Sequence, residues 1–160
     1  RLSYLFEDII VVTHKEELYE NDPVRTTPDL LPFTGPLTGI HAGLTLAKSE
    51  YAYVMACDMP YINEEYIDVL ENHLQEGDGG IVTATNDGWI DPFHAFYHRG
   101  ILPAIEPYLQ LGKRNIRDLA VTENIRFLPE KHVLELDPDK KLFENLNTPK
   151  ELKNFFQSNR

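Results

Sequence analysis

The sequence predicts an α/β fold in which parallel strands are covered on both faces by helices. Two apolar runs, Ile9-Ile10-Val11-Val12 and Ala52-Tyr53-Val54-Met55-Ala56-Cys57, do not alternate with polar residues, the pattern of strands buried from both sides. Segments of helical period with recognisable caps alternate with them. The second run ends at once in Asp58-Met59-Pro60, which places a carboxylate at the carboxyl end of a strand. Open α/β sheets bind their ligands outside those ends.

The elements follow in order. Residues 8–13 read as a first strand, rich in β-branched side chains. Residues 21–33 contain Pro23, Pro28 and Pro32 without a helical period, so they form a connecting loop with a short strand near Val24. A helix begins with Gly35 at the cap and Pro36 at its first position, where a missing N–H costs nothing. Leu37, Ile40, Leu44 and Ala47 recur along it at helical spacing. Gly39 and Gly43 lie one turn apart and offer a close approach to another backbone, the packing role being the better account of Gly43. After the Asp58 strand, Asn63 caps a helix with Glu64 and Glu65 in its first turn and Gly77 beyond its end.

Residues 81–85 and 93–97 read as strands separated by the Asn86-Asp87-Gly88 turn. Residues 101–111 are helical in period but include Pro103 and Pro107, which predicts a kink or a break near Pro107. Short strands are expected at 125–128 and 132–136. Thr148-Pro149-Lys150-Glu151 is a capping box that opens a last helix reaching Phe156. The opening residues Arg1-Leu2-Ser3-Tyr4-Leu5-Phe6 read as the end of an amphipathic helix. We therefore expect a strand-loop-helix unit upstream, on the order of 30 residues completing a βαβ.

Composition bounds the function. The 160 residues suit one domain, residues 1–160, with a sizeable core. A net charge of -11 opposes a broad nucleic-acid or anionic-membrane surface, so a phosphorylated ligand requires a local basic or metal-filled site. No apolar stretch reaches the length of a membrane span. The single cysteine, Cys57, cannot form an internal disulfide; lying in the apolar run, it is expected to be a buried structural thiol in a cytoplasmic protein.

Taken alone, Asp58 suits two roles: a ligand for a hard cation such as Mg²⁺ against a phosphate, or a cap on the following turn. Asp29, taken alone, reads as an exposed loop acid. Asn145 and Asn147 suit a turn ahead of the last helix, and Lys113 and Arg114 a solvated helix end. His94 and His98 would share a strand face about 13 Å apart, too far for one metal ion, and His94 reads as a core or surface histidine.

Together, Asp29, Gly35-Pro36-Leu37-Thr38-Gly39-Ile40, Ala56-Cys57-Asp58-Met59-Pro60 and Asn145-Leu146-Asn147-Thr148-Pro149 resemble the molybdenum cofactor guanylyltransferases of the MobA family, over nearly the whole chain. The resemblance implies a Rossmann-like, doubly wound, mostly parallel sheet of the nucleotide-diphospho-sugar-transferase kind. It implies transfer of GMP from GTP to molybdopterin carrying molybdenum, with Mg²⁺ as cofactor and pyrophosphate released. Molybdopterin-delivering proteins and molybdoenzyme acceptors are implied as further partners. Asp58 matches the family's metal-binding and catalytic aspartate. Asp29, Asp58, Gly35, Pro36 and Leu37 match its nucleotide side, and Asn145, Asn147 and Arg114 its pterin side.

Two departures stand out. The family's glycine-rich loop with arginine and lysine does not occur in these residues, and Thr13-His14 stands where the family often has asparagine. The runners-up are a related cytidylyl or sugar-phosphate nucleotidyltransferase, with base choice residing in the loop, and a non-catalytic pterin- or partner-binding module.

Overall fold

The structure, a computed structural model, describes residues 2–158. A short helix α1 (Leu2–Leu5) leads into β1 (Ile10–Val12), then β2 (Arg25–Thr27), α2 (Pro36–Leu46), β3 (Tyr51–Val54), α3 (Glu64–His73), β4 (Gly80–Ala84) and β5 (Ile90–His98). The chain continues through α4 (Leu102–Gln110), α5 (Ile116–Thr122), β6 (Ile125–Pro129), α6 (Lys131–Leu136) and α7 (Pro149–Ser158).

The α/β class is as expected, and the strands fall into two sheets. β1 pairs in parallel with β2. The larger sheet has the order β3-β5-β4-β6; β4 and β6 are parallel, whereas β5 runs antiparallel to both its neighbours. The small sheet is fastened to α2 by Arg25, whose Nε donates to Asp8 Oδ1 at 2.8 Å and whose Nη2 donates to the carbonyl of Leu46, the last residue of α2, at 2.7 Å.

Successive residues of each strand serve opposite layers, as strand geometry requires. Ala52, Val54, Val82, Ala95, Tyr97 and Phe127 join one core with α2, α4 and α5. Tyr51, Tyr53, Ile81, Phe96 and Leu128 join another with α3, α6 and the end of α1. Helices therefore cover both faces of the larger sheet. The inward stripe of α2 is the predicted one, with Leu37, Ile40, Leu44 and Ala47 all buried. The Thr148 capping box also forms: Glu151 N donates to Thr148 Oγ1 at 3.2 Å and Thr148 N to Glu151 Oε2 at 2.9 Å.

Four expectations are corrected. Residues 132–136 are helical in α6 rather than extended. His-Val-Leu-Glu-Leu satisfies period 2, but Val133 and Leu136 are also one helical turn apart, and both pack on the α3 side. β3 ends at Val54 rather than running through Cys57, which is exposed and not part of a buried strand. Gly43 is not required by packing, because a Cβ there would meet Val12 Cγ2 at an ordinary 3.8 Å. α4 continues through Pro107 without the break that was one of two expected outcomes there, and a separate helix, α5, follows where no element was expected. Its cap is Asn115, whose side chain accepts from Arg117 N at 3.0 Å.

One glycine is demanded by the sheet. Gly80 opens β4 at φ +150°, and a Cβ there would lie 2.4 Å from the carbonyl oxygen of Phe96, so only glycine lets β4 reach β5 at that point.

Where β5 begins, Asp91 is half-buried and, among the described residues, its carboxylate accepts only from Phe93 N, at 2.9 Å. Burial raises its pKa above the ordinary carboxylate value, and that backbone bond only partly opposes the rise. A carboxyl raised on folding destabilises the native state as pH climbs through its folded pKa. Asp91→Asn is thus expected to raise the neutral-pH melting temperature by a few degrees, with the gain vanishing in acid below the ordinary carboxylate pKa of 3.8. Thermal melts across pH check this, and a lower neutral-pH melting temperature contradicts it.

Candidate active site

The loops leaving β1 and β2 meet because these strands are parallel neighbours. Thr13 N donates to Thr27 O at 2.8 Å, carrying the ladder one step past β1. His14 Nε2 then lies 3.3 Å from Asp29 Oδ2. The sequence marked Thr13-His14 only as a departure from its family; the structure makes His14 the neighbour of Asp29. The signal available beforehand was positional, since both residues follow runs that read as strands.

From Asp29 the chain runs to the start of α2. Gly35 holds φ +111° at the N-cap, a conformation that favours glycine. The N-cap makes no side-chain hydrogen bond; Pro36 has no N–H and Thr38 N donates to Gly35 O at 3.1 Å, so the Leu37 amide is the first-turn donor this leaves for an anion. Arg114 joins this side: its guanidinium stacks 5.4 Å from the Phe33 ring centroid. Its Nη1 donates to the carbonyls of Leu109 at 2.9 Å and Lys113 at 2.7 Å. Those bonds fix the side chain at one nitrogen and leave the other donors for a ligand. Arg114 was expected with Asn145 and Asn147; its placed contacts are with the approach to α2.

Asp58 occupies the turn beyond β3, closed by Met59 N donating to Ala56 O at 3.2 Å. Met59 is buried and anchors the turn, while Asp58 is exposed. The decisive contact comes from far along the chain: Leu146 N donates to Asp58 O at 2.7 Å. This seats Leu146, and with it the exposed Asn145 and Asn147 on either side, against the Asp58 turn. Asn147 N is in turn held by Glu151 Oε2 at 2.8 Å, so the capping box of α7 also fixes the asparagine segment. A shallow cleft adjoins the turn, lined by Tyr61, Ile62 and Asn63 on one side and Asp137, Lys141 and Leu142 on the other.

Two groups result. Along the loop leading into α2 lie the His14–Asp29 pair and then Phe33, with Arg114 packed on it, just ahead of Gly35, and Asp58 is joined to the segment holding Asn145 and Asn147. The first offers amide and guanidinium donors suited to phosphate. The second offers one carboxylate and two amides able to donate and accept. Among the described residues no group of three or more histidine, cysteine or acidic side chains gathers around a common point. Asp58 alone fits the habit of Mg²⁺, which keeps several waters and takes phosphate oxygens beside one or two carboxylates.

The chain has known relatives. The MobA-like NTP transferase domain family model matches residues 1–125. This chain belongs to the MobA-like NTP transferase family. It is 38% identical over 162 residues to the probable molybdenum cofactor guanylyltransferase of Peptoclostridium acidaminophilum, a match covering 98% of this chain and 73% of that relative. Identity is also 38%, over 148 residues, to the molybdenum cofactor guanylyltransferase of Syntrophotalea carbinolica, covering 92% of this chain and 70% of that one.

The fold of this MobA-like domain is shared with a solved protein. The crystal structure of molybdopterin-guanine dinucleotide biosynthesis protein A from Archaeoglobus fulgidus superposes with a TM-score of 0.76 at 23% identity, covering 98% of this chain and 82% of that one. No helix among the described residues is long and apolar enough to cross a membrane.

Proposed function

We propose that this MobA-like domain transfers the guanylyl group of GTP to molybdopterin carrying molybdenum, releasing pyrophosphate. The observation that carries the reading is the Leu146 to Asp58 hydrogen bond, which unites the two motifs the reaction requires. A terminal phosphate oxygen of the pterin attacks the α-phosphorus of GTP; the new P–O bond forms as the bond to the pyrophosphate oxygen breaks. Such a transfer needs alignment and neutralisation of charge rather than a covalent enzyme intermediate.

In this reading the first turn of α2, from Gly35 through Leu37, and Asp29 hold the nucleotide, with Arg114 supplying positive charge on the same side. Asn145 and Asn147 orient the pterin phosphate without adding repulsion. Asp58 holds Mg²⁺, which when bound supplies charge neutralisation at the phosphates. The net charge of -11 makes these local cationic and amide donors necessary, because the surrounding field repels both substrates.

Calorimetric titration of the full-length protein with GTP, CTP and ATP, with and without Mg²⁺, tests this. Selective binding of GTP that strengthens at least about tenfold with Mg²⁺ is expected, about 1.4 kcal/mol. A preference for CTP moves the domain to cytidylyl transfer. No nucleotide binding at all overturns the enzyme reading in favour of a binding module.

A further inference from the structure

His94 is fully buried, with 0% of its surface exposed, and its backbone stands at φ +47°, a left-handed conformation uncommon outside glycine, though one that histidine, asparagine and aspartate adopt more readily than other residues. The cause is an irregularity in the sheet. β4 and β5 pair as Ile81 with Phe96 but then as Thr83 with Asp91, so β5 carries extra residues in the interval that contains His94. The bulge is fastened from α3, where Tyr66 Oη donates to His94 O at 3.1 Å and shares a hydrogen bond with Thr83 Oγ1 at 2.7 Å.

The imidazole faces two elements. Its Nδ1 lies 2.7 Å from Tyr53 Oη on β3. Burial pushes the Tyr53 phenol up and lowers His94 to about 4, so both are neutral at physiological pH and Tyr53 can donate to Nδ1. The remaining proton then belongs on Nε2, a buried atom with no hydrogen-bond partner among the described residues. The ring also meets Phe143 nearly perpendicularly, at 87° with centroids 6.0 Å apart, an edge-to-face arrangement. Phe143 also packs edge-on against Tyr66 and lies three residues before Leu146, whose amide holds Asp58 O.

An apolar residue on a regular strand would avoid both the backbone strain and the unpaired nitrogen. Such strain persists where the surrounding structure over-determines it, and it clusters at functional sites. We propose that His94 is a positioning residue for the transfer reaction, bracing Tyr53 on one side and Phe143 on the other so that the 143–147 segment stays docked on the Asp58 turn. The proposal rests on the function proposed above. His94 touches neither substrate in this account; it acts through Phe143 and the Leu146 amide.

The test uses three variants of the full-length protein. His94→Leu removes both ring nitrogens and leaves the Tyr53 hydroxyl buried without its acceptor. His94→Asn keeps an acceptor near the place of Nδ1 and tolerates the left-handed backbone. Leu119→Ala weakens the core on the opposite face of the sheet and serves as a destabilised control. The readouts are kcat, KM for GTP, and hydrogen exchange at the Leu146 amide compared with Val82 in β4.

His94→Leu is expected to lower kcat about 10- to 100-fold, as small misplacements of reacting groups do, with KM for GTP within about twofold. Leu146 should lose protection about tenfold more than Val82 does, a ratio expected for a bond released locally. His94→Asn should recover most of both, and Leu119→Ala should lower the melting temperature without changing the kcat or this ratio. Equal exchange at Leu146 in His94→Leu and wild type overturns the brace, as does an asparagine variant no better than leucine. Selective loss of Leu146 protection with unchanged kcat overturns the positioning role. Selective loss in a protein whose wild type transfers no guanylyl group leaves the brace standing and defeats the proposed reaction instead.

Discussion

Replacing Asp58 by alanine is expected to reduce guanylyl transfer by at least about 10³-fold while leaving the fold unchanged. The side chain is exposed, and the contact that docks the asparagine segment uses the Asp58 carbonyl oxygen, which alanine retains. Surface substitutions of this kind ordinarily alter stability by no more than about 0.5 kcal/mol. The loss in rate follows from the proposed charge balance: without the carboxylate nothing in the turn holds the cation that neutralises the phosphates. Removing one preorganised electrostatic element costs about 10² to 10³ in kcat in comparable sites, and loss of a metal ligand belongs at the upper end or beyond. Pyrophosphate release under saturating GTP and molybdopterin, with a thermal melt alongside, checks both halves. Near-normal Mg²⁺-dependent turnover by Asp58→Ala removes Asp58 from the mechanism. A large fall in melting temperature instead assigns it a structural role.

What could be read in the residues and what could not divide along a physical line. The Gly35-Pro36 helix start and the Thr148 capping box are contiguous signals, each with a local cause, and each is where the sequence placed it; Asp58-Met59-Pro60 does follow β3, but in a turn beyond its end at Val54 rather than at the end itself. The bond between Leu146 and Asp58 depends on the path of the whole chain, and no local pattern encodes it. His14 beside Asp29 follows from β1 lying parallel to β2; the short strand expected near Val24 is there as β2, but three residues carry no pattern that names its partner or its direction. β5 was underestimated because Asp91 and Pro92 are poor strand residues; the strand nevertheless begins at Ile90 and accommodates them through its irregular pairing with β4. His94 meets Tyr53 and Phe143 while His98 meets Tyr51, all on the α3 side, so the alternation that placed the two histidines on one face holds; what it could not declare is the irregularity that gives His94 its positive φ. Cys57 misled in the opposite direction, since an apolar run specifies burial only while the strand continues.

The largest expected effect on stability lies away from the site, at Asp78. This carboxylate is 4% exposed and ties the turn before β4 to β6. Arg126 Nε donates to one oxygen at 2.7 Å and Nη2 to the other at 3.0 Å, while Gln75 N adds a third bond at 2.9 Å. Burial alone would raise the Asp78 carboxyl, but the Arg126 and Gln75 donors outweigh it and the net shift is downward. Removing one partner of a buried pair strands the other, at about 3 to 5 kcal/mol. Arg126 is partly exposed, with 35% of its side chain accessible, and can turn toward water, so the lower end applies. For a domain of this size each kcal/mol moves the melting temperature by about 2 to 4 °C, so Asp78→Ala should lose about 6 to 12 °C at neutral pH. The pH dependence separates this from a mere packing loss. A carboxyl lowered on folding stabilises the native state above the unfolded value of 3.8, and that stability is lost as pH falls through the lowered folded value. The alanine variant lacks that group, so its deficit relative to wild type should shrink below the ordinary carboxylate range. A deficit that stays constant from neutral pH into strong acid would show that Asp78 contributes through volume rather than charge.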